Sequence, residues 1–153
     1  MILRKGQVPA APGDGSRAEH LGAFELLRYS DAGGLTQYGA HVETLQPGSR
    51  SSDRHWHEEE DEFLYVLAGT ATVVEDDAVH ELQPGDAACW PAGVANAHQV
   101  INRSSAPCTY LIVGTRVPRD VVRYPDLGRV RYREGARWRL VAADGTLIGE
   151  GHD

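Results

Sequence analysis

From residue 24 to residue 116 the chain is cut into short runs of β-branched and aromatic residues by closely spaced turn signals. "FELLRYS" (residues 24–30) ends at "DAGG", "LTQYGAHVETL" (residues 35–45) at "QPGS", and "EFLYVLAGTATVVE" (residues 62–75) at "DD"; "AVHELQ", "HQVINRS" and "CTYLIVGTR" follow in the same style. Glycine, proline, aspartate and asparagine at those breaks favour turns, and the runs between them suit strands. No segment sustains apolar residues at helical spacing, so little helix is expected. The pattern predicts an all-β fold, a barrel or a sandwich.

In "EFLYVL" both alternating sets, Glu62, Leu64, Val66 and Phe63, Tyr65, Leu67, are largely apolar. Successive strand residues point to opposite faces, so both faces of this strand need cover. One faces the interior, and the other calls for a second sheet, the N-terminal segment or a partner subunit. A homodimer is the economical arrangement. The stretch "VPAAPGDGSRAEH" (residues 8–20) has no periodicity and reads as an extended arm. Near the other end, Asp144-Gly145 between two semi-apolar runs predicts a hairpin, expected on the outside of the fold.

With 153 residues the chain suits one domain. Its net charge of -7 opposes binding to nucleic-acid phosphates and to anionic lipid. Arg4 and Lys5 are not followed by a long apolar run, and no stretch reaches the roughly 18 apolar residues of a membrane span. A cytoplasmic location is the resulting expectation. Cys89 and Cys108 each sit in a strand-like run and are expected as small core residues.

The chemistry concentrates in "RHWHEEEDEF" (residues 54–63). In an extended chain His55 and His57 share a face and Trp56 takes the other, so two imidazoles stand side by side. Glu62 opens the next strand after a short turn, and His98 begins a later one, completing a mixed nitrogen and oxygen donor set. The acids between, Glu58, Glu59, Glu60 and Asp61, read as a solvated turn. Trp56 and Trp90 read as packing residues. Upstream, Gln37, His41 and Glu43 share one face and Tyr38 lies on the other. Either face could be interior, so these three polar residues line the pocket or meet water.

These residues resemble the cupin family. Gly48, His55, His57, Glu62 and Gly69 follow the order of the first cupin motif, with six residues rather than the usual five between Gly48 and His55. Gly85, Pro91, Gly93, His98 and Asn102 follow the second motif, but four residues instead of two separate Gly93 from the histidine. Strict spacing would put Asn96 in that place. His98 is preferred because it keeps its spacing to Asn102 and its strand parity, and Asn96 is a poor ligand for a transition metal. The resemblance runs from about Thr36 to Arg116.

It implies a double-stranded β-barrel, jelly-roll-like, with an N-terminal arm (1–20), the barrel (21–118) and a C-terminal extension packed on it (119–153). It further implies one divalent metal held by His55, His57, Glu62 and His98. Three imidazoles and a carboxylate accept Fe, Mn, Zn, Ni or Cu and leave open positions for a small-molecule substrate. The expected activity is that of a metal-dependent enzyme, an oxygenase with iron or an isomerase or lyase with zinc or manganese. A non-catalytic metal- or metabolite-binding module is the alternative. No residue is singled out as the base.

Overall fold

The computed structural model describes residues 1–12 and 19–152. The expected arm of residues 8–20 therefore falls partly outside the described residues. Among the described residues helix is confined to one short α-helix, α1 (Tyr29–Ala32), and two 3-10 turns. The strands are β1 (Ala11–Pro12), β2 (Phe24–Arg28), β3 (Tyr38–Leu45), β4 (Trp56–His57), β5 (Glu62–Ala68), β6 (Ala71–Val74) and β7 (Val79–Leu82). They continue with β8 (Ala87–Trp90), β9 (Gln99–Ile101), β10 (Cys108–Thr115), β11 (Arg119–Tyr124), β12 (Arg129–Glu134), β13 (Arg137–Ala142) and β14 (Leu147–His152).

Three sheets form, all antiparallel. The first runs β1-β2-β3-β10-β5-β8, the second β14-β13-β12-β11-β4, and the third β7-β6-β9. The run "EFLYVLAGTATVVE" divides into β5 and β6 at Gly69, whose φ is 74°. A Cβ at Gly69 would lie 2.4 Å from the Pro107 carbonyl oxygen, so glycine there is both a turn and a clearance.

Cross-strand register decides which parity is interior. Glu43 pairs with Tyr110 and Tyr110 with Val66, while His41 pairs with Ile112 and Ile112 with Leu64. Leu45, Leu64, Val66, Cys108 and Tyr110 are fully buried, and each such side chain withdrawn from water stabilises the fold by about 1.5–3 kcal/mol. The opposite parity of β5 stays open, with Phe63, Tyr65 and Leu67 between 36% and 46% exposed. Cys108 takes the expected core position, but Cys89 is exposed. It pairs with Phe63 from the edge strand β8, so it stands on the outer face. Among the described residues no helix is long and apolar enough to cross a membrane.

The tail departs from the expectation of an outside hairpin. Asp144-Gly145 does turn the chain between β13 and β14, with Gly145 at φ 85°. However, β11 pairs with β4, setting Val122 opposite His57 and Arg123 opposite Trp56. The hairpin thus extends the sheet that contains His57, and Trp138, Leu140 and His152 reach the same cavity as His55.

Candidate metal centre

His55 and His98 are bound to each other through their backbones, His55 N donating to His98 O at 3.1 Å and His98 N to His55 O at 2.9 Å. This isolated bridge sets their rings side by side, with centroids 5.2 Å apart. The His57 ring lies 5.1 Å from that of His55, as alternation along an extended chain requires. Glu62, first residue of β5, enters from the neighbouring sheet and receives a 2.9 Å hydrogen bond from His98 Nε2. One donor atom each from His55, Glu62 and His98 lies within 4.8 Å of the others.

His57 is held differently. Its Nδ1 donates to Asp120 Oδ2 at 2.7 Å, and Glu60 Oε2 stands 3.9 Å away. It therefore groups with Glu60 and Asp120 rather than within the tight cluster. His55 Nδ1 instead donates to the Asp53 carbonyl at 2.9 Å, and His98 Nδ1 makes a longer contact, 3.3 Å, to the Asn96 carbonyl. In all three rings Nδ1 faces a protein acceptor, so Nε2 is the nitrogen turned toward the cluster, that of His98 being bonded there to Glu62.

Asn96 turns away from the cluster. Its amide donates to Glu75 Oε1 at 2.9 Å, and the same oxygen accepts from Trp90 Nε1 at 2.8 Å. Trp90 in turn lies flat on the His98 ring, centroids 3.8 Å apart and planes 8° from parallel. It is thus more than packing: it forms one wall of the His98 position.

Burial drives the His55 pKa down to about 4 against the pull of Glu62, so the imidazole is neutral and able to bind a cation at ordinary pH. Burial also opposes ionised Glu62, but the His98 hydrogen bond and the surrounding imidazoles outweigh it and hold the carboxyl down at about 2. For His57 the burial penalty is outweighed by the Asp120 carboxylate, aided by Glu62 and Glu60, and the pKa is raised. A neutral His55 imidazole beside the ionised Glu62 carboxylate is donor chemistry that a divalent first-row metal takes.

A cavity of about 920 Å³ opens in front of His55, Glu62 and His98. Of the residues left undecided between pocket and water, His41 and Glu43 line it, with His41 Nε2 3.8 Å from Glu43 Oε2 and Glu43 only 2% exposed. Gln37 does not; it precedes β3 and is exposed. Arg129, Arg131 and Trp138 supply wall from the C-terminal sheet.

The acidic run is a solvated turn only in part: Glu59 and Asp61 are exposed, but three of its four acids have specific partners. Glu58 accepts from Arg123 at 2.6 Å, Glu60 pairs with Arg133 and accepts from the Val117 amide, and Asp61 accepts from the Ala92 amide at 2.8 Å. Asp120, Arg123 and Arg133 carry no motif, and the sequence offers no signal that would have joined them to residues some 60–70 positions earlier.

Comparison with known proteins accords with this geometry. A family model described as Cupin domain matches residues 41–114. A crystal structure from Silicibacter pomeroyi, of a sugar phosphate isomerase from a cupin superfamily, is 39% identical and superposes with a TM-score of 0.82 over 86% of this chain and 83% of that one. The chain belongs to the cupin superfamily. A second cupin-like barrel, named as a candidate sugar phosphate isomerase of Acidithiobacillus ferrooxidans, is 29% identical with a TM-score of 0.80, covering 94% and 92% of the two chains. Protein SchB of Streptomyces halstedii is 33% identical over 114 residues, which are 74% of this cupin and 77% of SchB. Asp120 and Arg133 lie beyond the residues that the cupin domain model matches.

Proposed function

We propose that this cupin is a metal-dependent isomerase of a small anionic carbonyl compound, a sugar phosphate being the substrate class that its relatives suggest. The observation that carries the reading is the meeting, in one 920 Å³ cavity, of the His55, Glu62 and His98 donors with Arg129 and Arg131. His55, His57, Glu62 and His98 would hold one divalent ion, and that ion would supply Lewis-acid polarisation of a carbonyl or enediol. Arg129 and Arg131 would bind the anionic end of the substrate. Arg131 is steadied over the Trp138 ring, 5.3 Å from its centroid. Glu43, buried and beside His41, would take the proton from the hydroxyl-bearing carbon next to the carbonyl and return it to the former carbonyl carbon, while the hydroxyl proton passes to the former carbonyl oxygen across the enediol. Trp138 and Leu140 would limit water at the reacting carbons.

The test is exchange of substrate carbon-bound hydrogen with D2O, followed by NMR over a panel of aldose and ketose phosphates. Metal-loaded protein should catalyse exchange, and Glu43→Gln should lose it with metal content unchanged. Stoichiometric metal without exchange across the panel would overturn the isomerase reading. A second reading is favoured by the separation of His57 from the tight cluster. Two histidines and one carboxylate are the facial set of non-haem iron oxygenases, and Fe(II)-dependent oxygen uptake would select it.

A homodimer accords with the exposed Phe63, Tyr65 and Leu67. Sedimentation equilibrium showing a monomer at tens of micromolar protein would remove it.

A further inference from the structure

We propose that Asp120 is a positioning residue of the metal centre, delivered by the sheet that follows the matched domain: its carboxylate holds His57 in the Nδ1–H form and so leaves Nε2 as the nitrogen free for a cation. The proposal builds on the metal-centre reading above.

Asp120 is the second residue of β11 and only 2% exposed. Its two oxygens have separate duties. Oδ2 takes the His57 Nδ1 proton at 2.7 Å, and Oδ1 takes the Glu59 amide at 3.2 Å. With both oxygens engaged, the carboxylate cannot turn without breaking one bond, so the plane of the imidazole is fixed as well as its tautomer. The β11–β4 pairing delivers it there, because Val122 sits opposite His57 and Asp120 lies two residues further on the same face.

Glu60 is the other carboxylate near that ring, and Arg133 removes it from competition. Asp120 pairs with Arg133 in the β11–β12 register, and the Arg133 guanidinium binds Glu60 and the Val117 carbonyl. That arrangement also argues against a second cation site among His57, Glu60 and Asp120. Nδ1 is already bonded to Asp120, each Asp120 oxygen already accepts a hydrogen bond, and Glu60 has its counter-charge.

The three histidines thus receive unequal support. His55 and His98 turn Nδ1 to backbone carbonyls, which any sequence supplies, with the Ser52 hydroxyl also 3.2 Å from His55 Nδ1, whereas His57 turns it to a carboxylate that mutation can remove. A carboxylate acceptor orients a ligating imidazole and makes it more basic, and losing one typically weakens metal binding by about 10–100-fold.

The test compares wild type with Asp120→Asn and Asp120→Ala, the isosteric Asn variant guarding against misfolding of the smaller one. Two readouts are taken. In metal-free protein, long-range 1H–15N NMR should show His57 protonated at Nδ1 in wild type and a mixed or reversed tautomer in Asp120→Ala. Zn(II) titration should show affinity falling by about 10-fold in Asp120→Asn and toward 100-fold in Asp120→Ala, with His55→Ala as the control for loss of a ligand. Unchanged tautomer and unchanged Zn(II) affinity in both variants would overturn the proposal. If wild type itself binds no Zn(II), the metal-centre reading falls, and the tautomer comparison alone then decides the role of Asp120.

Discussion

Two clusters of histidine and carboxylate are built on histidines two positions apart, His55 just before β4 and His57 within it. His55, Glu62 and His98 face the cavity and place their donor atoms within 4.8 Å of one another. His57, Glu60 and Asp120 are as close together, but Arg133 binds Glu60 and the Glu59 amide binds Asp120. The first offers two imidazoles and one carboxylate, the second one imidazole and two carboxylates. What also separates them is that an arginine already neutralises Glu60 in the second, whereas Glu62 is bonded to an imidazole, His98, and that difference favours a cation at the first.

Substitutions in the first cluster should therefore have the largest effect. Glu62→Gln or His98→Ala removes a donor and should weaken metal binding by more than the roughly 100-fold that loss of an orienting partner causes. Metal analysis of the purified variants gives the answer. His57→Ala should also lower metal occupancy strongly, with far-UV circular dichroism unchanged. Full occupancy in that variant would show that His55, Glu62 and His98 suffice, and would break the reading of His57 as a fourth ligand.

The first cluster was legible because its chemistry lies in local spacing. Alternation fixes His55 with His57, and the parity of "HQVIN" argued for His98 over Asn96; the structure sends the Asn96 amide to Glu75. The second was not legible, because what distinguishes it is strand pairing at long sequence separation. "PRDVVRY" holds nothing that announces a partner for His57. Parity also grouped His41 and Glu43 without saying which face was interior, since that depends on the register of β3 with β10. Gln37 dropped out because alternation applies only inside a strand, and β3 begins at Tyr38.

A smaller effect is expected from the arginine that closes the second cluster. Glu60→Gln leaves the Arg133 guanidinium, 17% exposed, without its carboxylate. The pair is partly buried, so breaking it should cost about 1–3 kcal/mol of stability, below the range for a fully buried pair. Chemical denaturation would measure this, while Zn(II) affinity should change less than in Asp120→Asn. A larger loss of affinity than in Asp120→Asn would mean that Glu60, not Asp120, governs the ring.

The finest contrast between the clusters is their opposite response to protons in the metal-free protein. His55 has its pKa lowered from 6.5 to about 4, so the unfolded chain takes up a proton that the folded one refuses. Its contribution is complete above pH 6.5 and declines as pH falls toward 4, by at most a few kcal/mol. His57 has its pKa raised, so its pairing with Asp120 contributes fully below pH 6.5 and is lost as pH rises through the elevated value. Stability measured by denaturant titration should therefore fall on acidification less in His55→Gln than in wild type, and fall on alkalinisation less in His57→Gln. Identical pH profiles for the two variants would erase the distinction, because the two imidazoles would then share one proton linkage despite their different carboxylate partners.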